Sequence, residues 1–145
     1  MNKWDNRFLN LAKHISTWSR DPSTQVGAVI VDNKKRIISV GFNGLAQGVE
    51  DLDEVLNNRE LKYPVILHAE ENAILFSGRD LEGCTIYTWP FQPCAHCSSV
   101  VIQSGIKRVV APIMPDELKE RWKTNTELAE KQFRDSKVVL DLVEF

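Results

Sequence analysis

The sequence predicts an α/β fold: a three-layer α/β/α sandwich built on a five-stranded mixed sheet. Three observations point there. Two apolar runs, residues 26–31 and 36–42, are separated only by Asp32-Asn33-Lys34-Lys35, which reads as an antiparallel hairpin. Downstream, strand and helix patterns alternate, as they do where crossovers join neighbouring parallel strands. The 145 residues suffice for one hydrophobic core, so a single domain over 1–145 is expected.

The elements follow in chain order. Residues 5–19 read as a helix, because Phe8, Leu11, Ala12, Ile15 and Trp18 recur at helical spacing, and Asp21-Pro22-Ser23 ends it. The run Val26 to Val31 is apolar almost throughout, as in a strand buried on both faces. Residues 36–42 form the second strand and 50–59 a short helix. Residues 68–76 are helical, with Ala69, Ala73, Ile74 and Phe76 as the buried side. A third strand spans 85–89. The helix 94–104 is opened by Pro93 and closed by Gly105. Residues 108–111 make the fourth strand. One long amphipathic helix is expected over 115–134, with Leu118, Trp122, Leu128, Ala129 and Phe133 inward, before a fifth strand at 137–143. Trp4, Trp18 and Trp122 are read as core, Cys84 as a small buried hydrophobe, His14 as structural and His96 as a surface residue. The charged run 32–36 and the acidic residues Glu50, Asp51, Asp53 and Glu54 are read as solvated.

Composition narrows the function. Hydrophobic residues make up 43% of the chain and charged residues 26%, the balance of a globular protein. The formal net charge is −2, which argues against a protein whose affinity is mainly for nucleic-acid phosphates. No apolar run approaches the roughly 18 residues of a membrane span. The first residues open no signal-peptide pattern, so a cytoplasmic location is expected. Three cysteines, Cys84, Cys94 and Cys97, are not a disulfide framework; the Cys94/Cys97 pair reads as metal or redox chemistry.

The chemistry is carried by His68-Ala69-Glu70 and, 26 positions later, Pro93-Cys94-Ala95-His96-Cys97. Both stand at helix starts that follow strand ends, where ligands collect in α/β sandwiches. One imidazole and two thiolates suit Zn²⁺, and three protein ligands leave the fourth tetrahedral position for water, the pattern of a catalytic zinc. Glu70, two residues after His68, is placed to move protons to and from that water. A redox reading of the C-x-x-C pair leaves His68 and Glu70 unexplained.

H-x-E followed by P-C-x-x-C is the signature of zinc nucleobase deaminases. The chain resembles the cytidine/deoxycytidylate deaminase superfamily, and within it the deoxycytidylate branch. The resemblance runs over about residues 19–110. It includes Asp21-Pro22-Ser23-Thr24-Gln25-Val26-Gly27-Ala28, Gly41-Phe42-Asn43-Gly44, Lys62-Tyr63-Pro64, Asn72-Ala73-Ile74 and Ile102-Gln103-Ser104-Gly105-Ile106-Lys107. It implies the cytidine deaminase-like sandwich and one Zn²⁺ per chain held by His68, Cys94 and Cys97. It also implies Glu70 as proton shuttle, Asn43 as a contact to sugar or base, and the Ala69 backbone as a contact to the pyrimidine carbonyl. The implied reaction adds water at C4 of dCMP, delivers a proton to N3 and expels ammonia to leave dUMP. A homo-oligomer, dimer or hexamer, and dCTP and dTTP as effectors are implied as partners.

Three departures from the family pattern stand out. The segment Thr88-Trp89-Pro90-Phe91-Gln92 is about one residue longer and carries two large aromatics. Leu45-Ala46-Gln47-Gly48 follows Gly44 where the family often has a proline. The ligands of a second zinc found in some relatives are absent. Alternative readings are a deaminase of cytidine, guanine or tRNA adenosine, and a zinc-stabilised nucleotide-binding module without turnover. A substrate phosphate needs a cation, for which Arg20, Arg59 and Lys62 are the candidates.

Overall fold

The computed structural model describes residues 1–145. Helix α1 (Lys3–Ser16) begins at Asn2, whose side chain accepts the Asp5 N–H at 2.8 Å, and buries Phe8, Leu9, Ala12 and Ile15. The hairpin β1 (Gly27–Val31) and β2 (Ile37–Phe42) follows. Next come two single turns, α2 (Asp53–Leu56) and α3 (Arg59–Lys62), then α4 (Ala69–Ser77), β3 (Thr85–Trp89), α5 (Ala95–Gln103) and β4 (Arg108–Pro112). Helices α6 (Asp116–Arg121) and α7 (Lys123–Ser136) and strand β5 (Val139–Val143) complete the chain.

The sheet has the order β2-β1-β3-β4-β5. Strand β1 pairs antiparallel with β2 and β3, whereas β3–β4 and β4–β5 are parallel, so the predicted mixed sheet is the one observed. Period-two alternation divides its side chains between two cores. Ala28, Ile30, Ile86 and Val109 face Ala69 and Ala73 of α4, Val101 of α5, and Ala129 and Phe133 of α7. Val29, Val31, Tyr87 and Val110 face Phe8, Leu9 and Ala12 of α1. The sandwich is therefore three layers, with α1 alone on one face. No helix is long and apolar enough to cross a membrane.

Two features lock these layers. Gly41 of β2 lies against the first turns of α4, where an added Cβ would collide with the backbone of Ala69 and Ala73. Backbone cannot rotate aside as a side chain can, so Gly41→Ala is expected to destabilise by about 2–3 kcal/mol. It should also lower activity by displacing the start of α4; chemical denaturation and steady-state kinetics on one preparation read both effects. The second feature is a buried polar link between α1 and the sheet. Asp5 receives Arg108 at 2.8 and 2.9 Å and the Tyr87 hydroxyl at 2.7 Å, while Arg108 also reaches Asp141 at 2.7 Å.

Burial alone would raise the Asp5 pKa, but the hydrogen bonds from Arg108 and Tyr87 and the Arg108 charge outweigh it and hold the carboxyl below its usual 3.8. A carboxyl depressed in the folded state contributes stability above its unfolded pKa, and that stability is lost as pH falls through the folded value. Asp5→Asn is therefore expected to cost about 2 kcal/mol at neutral pH. The difference from wild type should shrink below about pH 4, as denaturation midpoints measured at both pH values will show.

Several sequence expectations are corrected. The helix expected over 115–134 breaks at Trp122, which leaves the helical conformation at φ −103° and ψ 13°. Of its expected inward residues only Ala129 and Phe133 are buried; Leu128 and Trp122 are exposed. The helix expected over 50–59 is two separate turns, because the Asn58 side chain accepts the Glu60 N–H at 3.0 Å and starts a new one. Trp18 lies beyond the end of α1 and is exposed, its ring edge-on to His14 and Phe42. Phe76 is exposed because the face of α4 that meets Gly41 must be small, which turns the large residues outward. Asp32 is buried rather than solvated. It accepts the backbone N–H groups of Arg36 and Lys34, which hold its pKa at about 2 together with the Arg36 guanidinium.

Candidate functional site

The start of α4 is fixed against the end of β2. Gly44 and Leu67 exchange backbone hydrogen bonds at 3.0 and 2.8 Å, and the Asn72 amide donates to the Phe42 carbonyl at 2.8 Å. His68 is the N-cap of α4, and its N–H donates to the Glu71 carboxylate at 2.9 Å. Glu71 was not singled out from the sequence, although an acidic residue at the third helical position is a readable capping signal. Glu70, in the first turn, is buried inward.

The start of α5 is fixed from the opposite side. The Thr88 hydroxyl donates to the Phe91 carbonyl at 2.9 Å and ties down the loop that leaves β3. Cys94 is the N-cap of α5, its Sγ accepting the Cys97 N–H at 3.4 Å. Ala95, the next residue, is held at both backbone groups by α7: its N–H donates to Asn125 Oδ1 and its carbonyl accepts from Gln132 Nε2, each at 2.9 Å.

These two helix starts bring His68, Cys94 and Cys97 together. His68 Nδ1 lies 3.7 Å from Cys94 Sγ and 3.1 Å from Cys97 Sγ, and all three donor atoms fall within 4.8 Å of one another. A tetrahedral zinc, with bonds of about 2.3 Å to sulfur and 2.0 Å to nitrogen, sets its ligand atoms roughly 3.5 Å apart, so the group fits. One nitrogen and two sulfur donors suit zinc chemically, and a three-ligand set leaves a position open.

Electrostatics agree with that chemistry. Hydrogen bonds from Cys97 and His68 pull the Cys94 thiol down to about 4 against the opposing effect of burial. The same contact with Cys94, together with burial, pushes the Cys97 thiol up. Its hydrogen bond with Cys94 raises His68 to about 9. A thiolate beside a protonated imidazole is a preformed ligand set from which a metal displaces protons. Burial pushes Glu70 up to about 7, only partly countered by the His68 charge. A carboxyl with that pKa can both take and return a proton near neutral pH.

A cavity of about 420 Å³ opens onto these groups. His68, Ala69, Glu70, Cys94 and Asn43 line it, so five of the six residues singled out from the sequence border one space; Cys97 lies buried behind it. Asn43 is buried, with Oδ1 accepting the Val26 N–H and Nδ2 donating to the Thr24 carbonyl, each at 2.9 Å. Among the candidate cations Lys62 lines the cavity, with its Nζ 3.1 Å from Asp21 and 3.4 Å from Ser23. Arg20 instead pairs with Asp51 at 3.5 Å, and Arg59 donates to the Tyr63 hydroxyl. Phe91 borders the cavity, whereas the Trp89 ring packs with the α1 core beneath Lys13. His96 is exposed, as expected. Met114, Trp122, Asn125 and Thr126 also line the cavity. Sequence reasoning missed Trp122, Asn125 and Thr126 as site residues because the break at Trp122 has no Gly or Pro to announce it, and Met114, between β4 and α6, belongs to no motif that marks it.

Residues 2–113 match the family described as the cytidine and deoxycytidylate deaminase zinc-binding region. An uncharacterized deaminase of the luxG 3′ region in Aliivibrio fischeri is 46% identical over 138 residues, covering 95% of this chain and 92% of that protein. The deoxycytidylate deaminase of Mus musculus is 35% identical over 157 residues, covering 96% of this chain and 85% of that one. Among solved structures, the dCMP deaminase of cyanophage S-TIM5 in apo form superposes with a TM-score of 0.75 at 23% identity, over 99% of this chain and 100% of that one. Its complex with dCMP and dUMP superposes with the same TM-score, and both likenesses establish the fold.

Proposed function

This chain belongs to the cytidine and deoxycytidylate deaminase family, and from that premise we propose that it hydrolyses dCMP to dUMP and ammonia through a single domain spanning residues 1–145. The observation that carries the reading is Glu70, raised to about 7, beside a His68/Cys94/Cys97 donor set of which His68 and Cys94 border the same cavity as Glu70. His68, Cys94 and Cys97 would hold one Zn²⁺. Bound there, zinc supplies the Lewis acidity that brings water toward ionisation at neutral pH.

The chain's own residues do the rest. Glu70 accepts a proton from the attacking water and passes it to N3 of the pyrimidine. It then carries a second proton to the departing amino group, so that ammonia leaves as the C4 carbonyl forms. Burial serves this role, because a carboxyl at the usual value would return a proton poorly at neutral pH. The Ala69 backbone and Asn43 orient the pyrimidine and sugar, and Phe91 offers an apolar wall to the ring. Lys62 takes the phosphate: two of its ammonium protons serve Asp21 and Ser23 and the third is free.

None of the three cysteines is in a disulfide, and a cytoplasmic location belongs to the same reading. A homo-oligomer, dimer or hexamer, and response to dCTP and dTTP belong to the same reading and are checked by sedimentation and by adding each nucleotide to the assay. The test of substrate is the rate of ammonia release by zinc-loaded protein from dCMP, CMP, deoxycytidine, guanine and a tRNA. The reading expects dCMP to lead, with deoxycytidine weakened by loss of the phosphate contact. Preference for guanine or tRNA would overturn it.

A further inference from the structure

Every buried side-chain nitrogen and oxygen in the chain has a hydrogen-bond partner except Gln92 Nε2. Gln92 is 6% exposed and borders the cavity that holds His68, Glu70 and Cys94. An amide buried without a partner costs on the order of 1–3 kcal/mol, and such groups are rare in folded proteins. Of the other buried polar side chains on this wall, Asn43 is engaged by Val26 and Thr24, Lys62 by Asp21 and Ser23, and Glu70 is the carboxyl assigned to the chemistry. Gln92 is the one side chain there with a fully buried polar atom that the protein leaves without a partner.

The backbone holds it in that state. Phe91 on one side is tied to Thr88, and Pro93 on the other leads straight into the α5 cap at Cys94. Two peptide units separate Gln92 from Cys94, a reach of at most about 7 Å between Cα atoms. Gln92 therefore sits on the part of the cavity wall that Cys94 borders, close to where the reacting ring lies in the proposed reaction.

We propose that Gln92 is a specificity residue that hydrogen-bonds the polar edge of the substrate's pyrimidine ring. A primary amide offers a donor at one end and an acceptor at the other, so half a turn about its last bond suits it to a ring carbonyl or to an amino group. This deepens the dCMP reading above and rests on it.

The experiment compares Gln92→Met, which keeps the volume and removes the amide, and Gln92→Glu, which removes the donor, with wild type. Four quantities are read: kcat/KM for dCMP, affinity for dUMP, bound zinc per chain and the unfolding midpoint. In variants that keep their zinc, kcat/KM and dUMP affinity should each fall about tenfold or more, with no loss of stability in Gln92→Met. Unchanged kinetics and dUMP affinity with a higher midpoint in Gln92→Met would show an amide that is merely buried and unpaired, and would overturn the proposal. Loss of zinc in both variants would overturn it too, by assigning the amide to the metal-binding turn. If wild type does not deaminate dCMP, the dCMP reading is what falls, and dUMP affinity still reads the role of Gln92.

Discussion

Glu70→Gln should lower kcat for dCMP by about 10³-fold while zinc remains bound at one per chain. The substitution keeps the size of the side chain and removes its ability to carry a proton. His68, Cys94 and Cys97 are untouched, and the start of α4 stays fixed by Glu71, Asn72 and Gly41. Removing a carboxyl from a fully buried position also removes the cost of ionising it there, so the variant should be at least as stable as wild type above pH 7. The checks are kcat, zinc by elemental analysis and the unfolding midpoint on a single preparation. A protein that binds nucleotides without turning them over would show no change in ligand affinity and have no rate to lose.

Cys97→Ser should act in the opposite way, abolishing turnover by abolishing the metal. Its Sγ lies 3.1 Å from His68 Nδ1, and the residue is buried in the turn that Asn125 and Gln132 hold through Ala95. A serine hydroxyl is a poor zinc ligand at neutral pH, and losing one of three protein ligands should weaken zinc binding on the order of 10³-fold or more. Bound zinc per chain should fall toward zero, and activity with it. Full activity in a metal-free Cys97→Ser protein would remove zinc from the account altogether.

Much of the fold is legible in the sequence because it is written locally. The strands are short apolar runs bounded by turns, and Val26 to Val31 announces a strand buried on both faces. The ligand set is legible for the same reason: His68 and Glu70 share one helix start, and Cys94 and Cys97 share another. What stayed hidden depends on contacts between distant segments. The exposure of Leu75 and Phe76 follows from Gly41, over thirty residues upstream, which admits only a small helix face. The break at Trp122 has no local marker, yet it sets Asn125 against Ala95 and brings Trp122, Asn125 and Thr126 to the cavity wall. Lys62 reads from sequence as one of three loop cations; only the packing of α3 beside Asp21 separates it from Arg20 and Arg59. The unpartnered amide of Gln92 is invisible without the surrounding atoms.

The central claim is that Glu70 and the His68/Cys94/Cys97 set form one hydrolytic centre acting on a cytosine nucleotide. The most direct measurement incubates zinc-loaded wild-type protein with dCMP and quantifies dUMP and ammonia together. The account predicts one ammonia for each dUMP formed, at a rate that disappears when zinc is chelated and returns when it is restored. Bound zinc and bound nucleotide with dCMP left intact would contradict it.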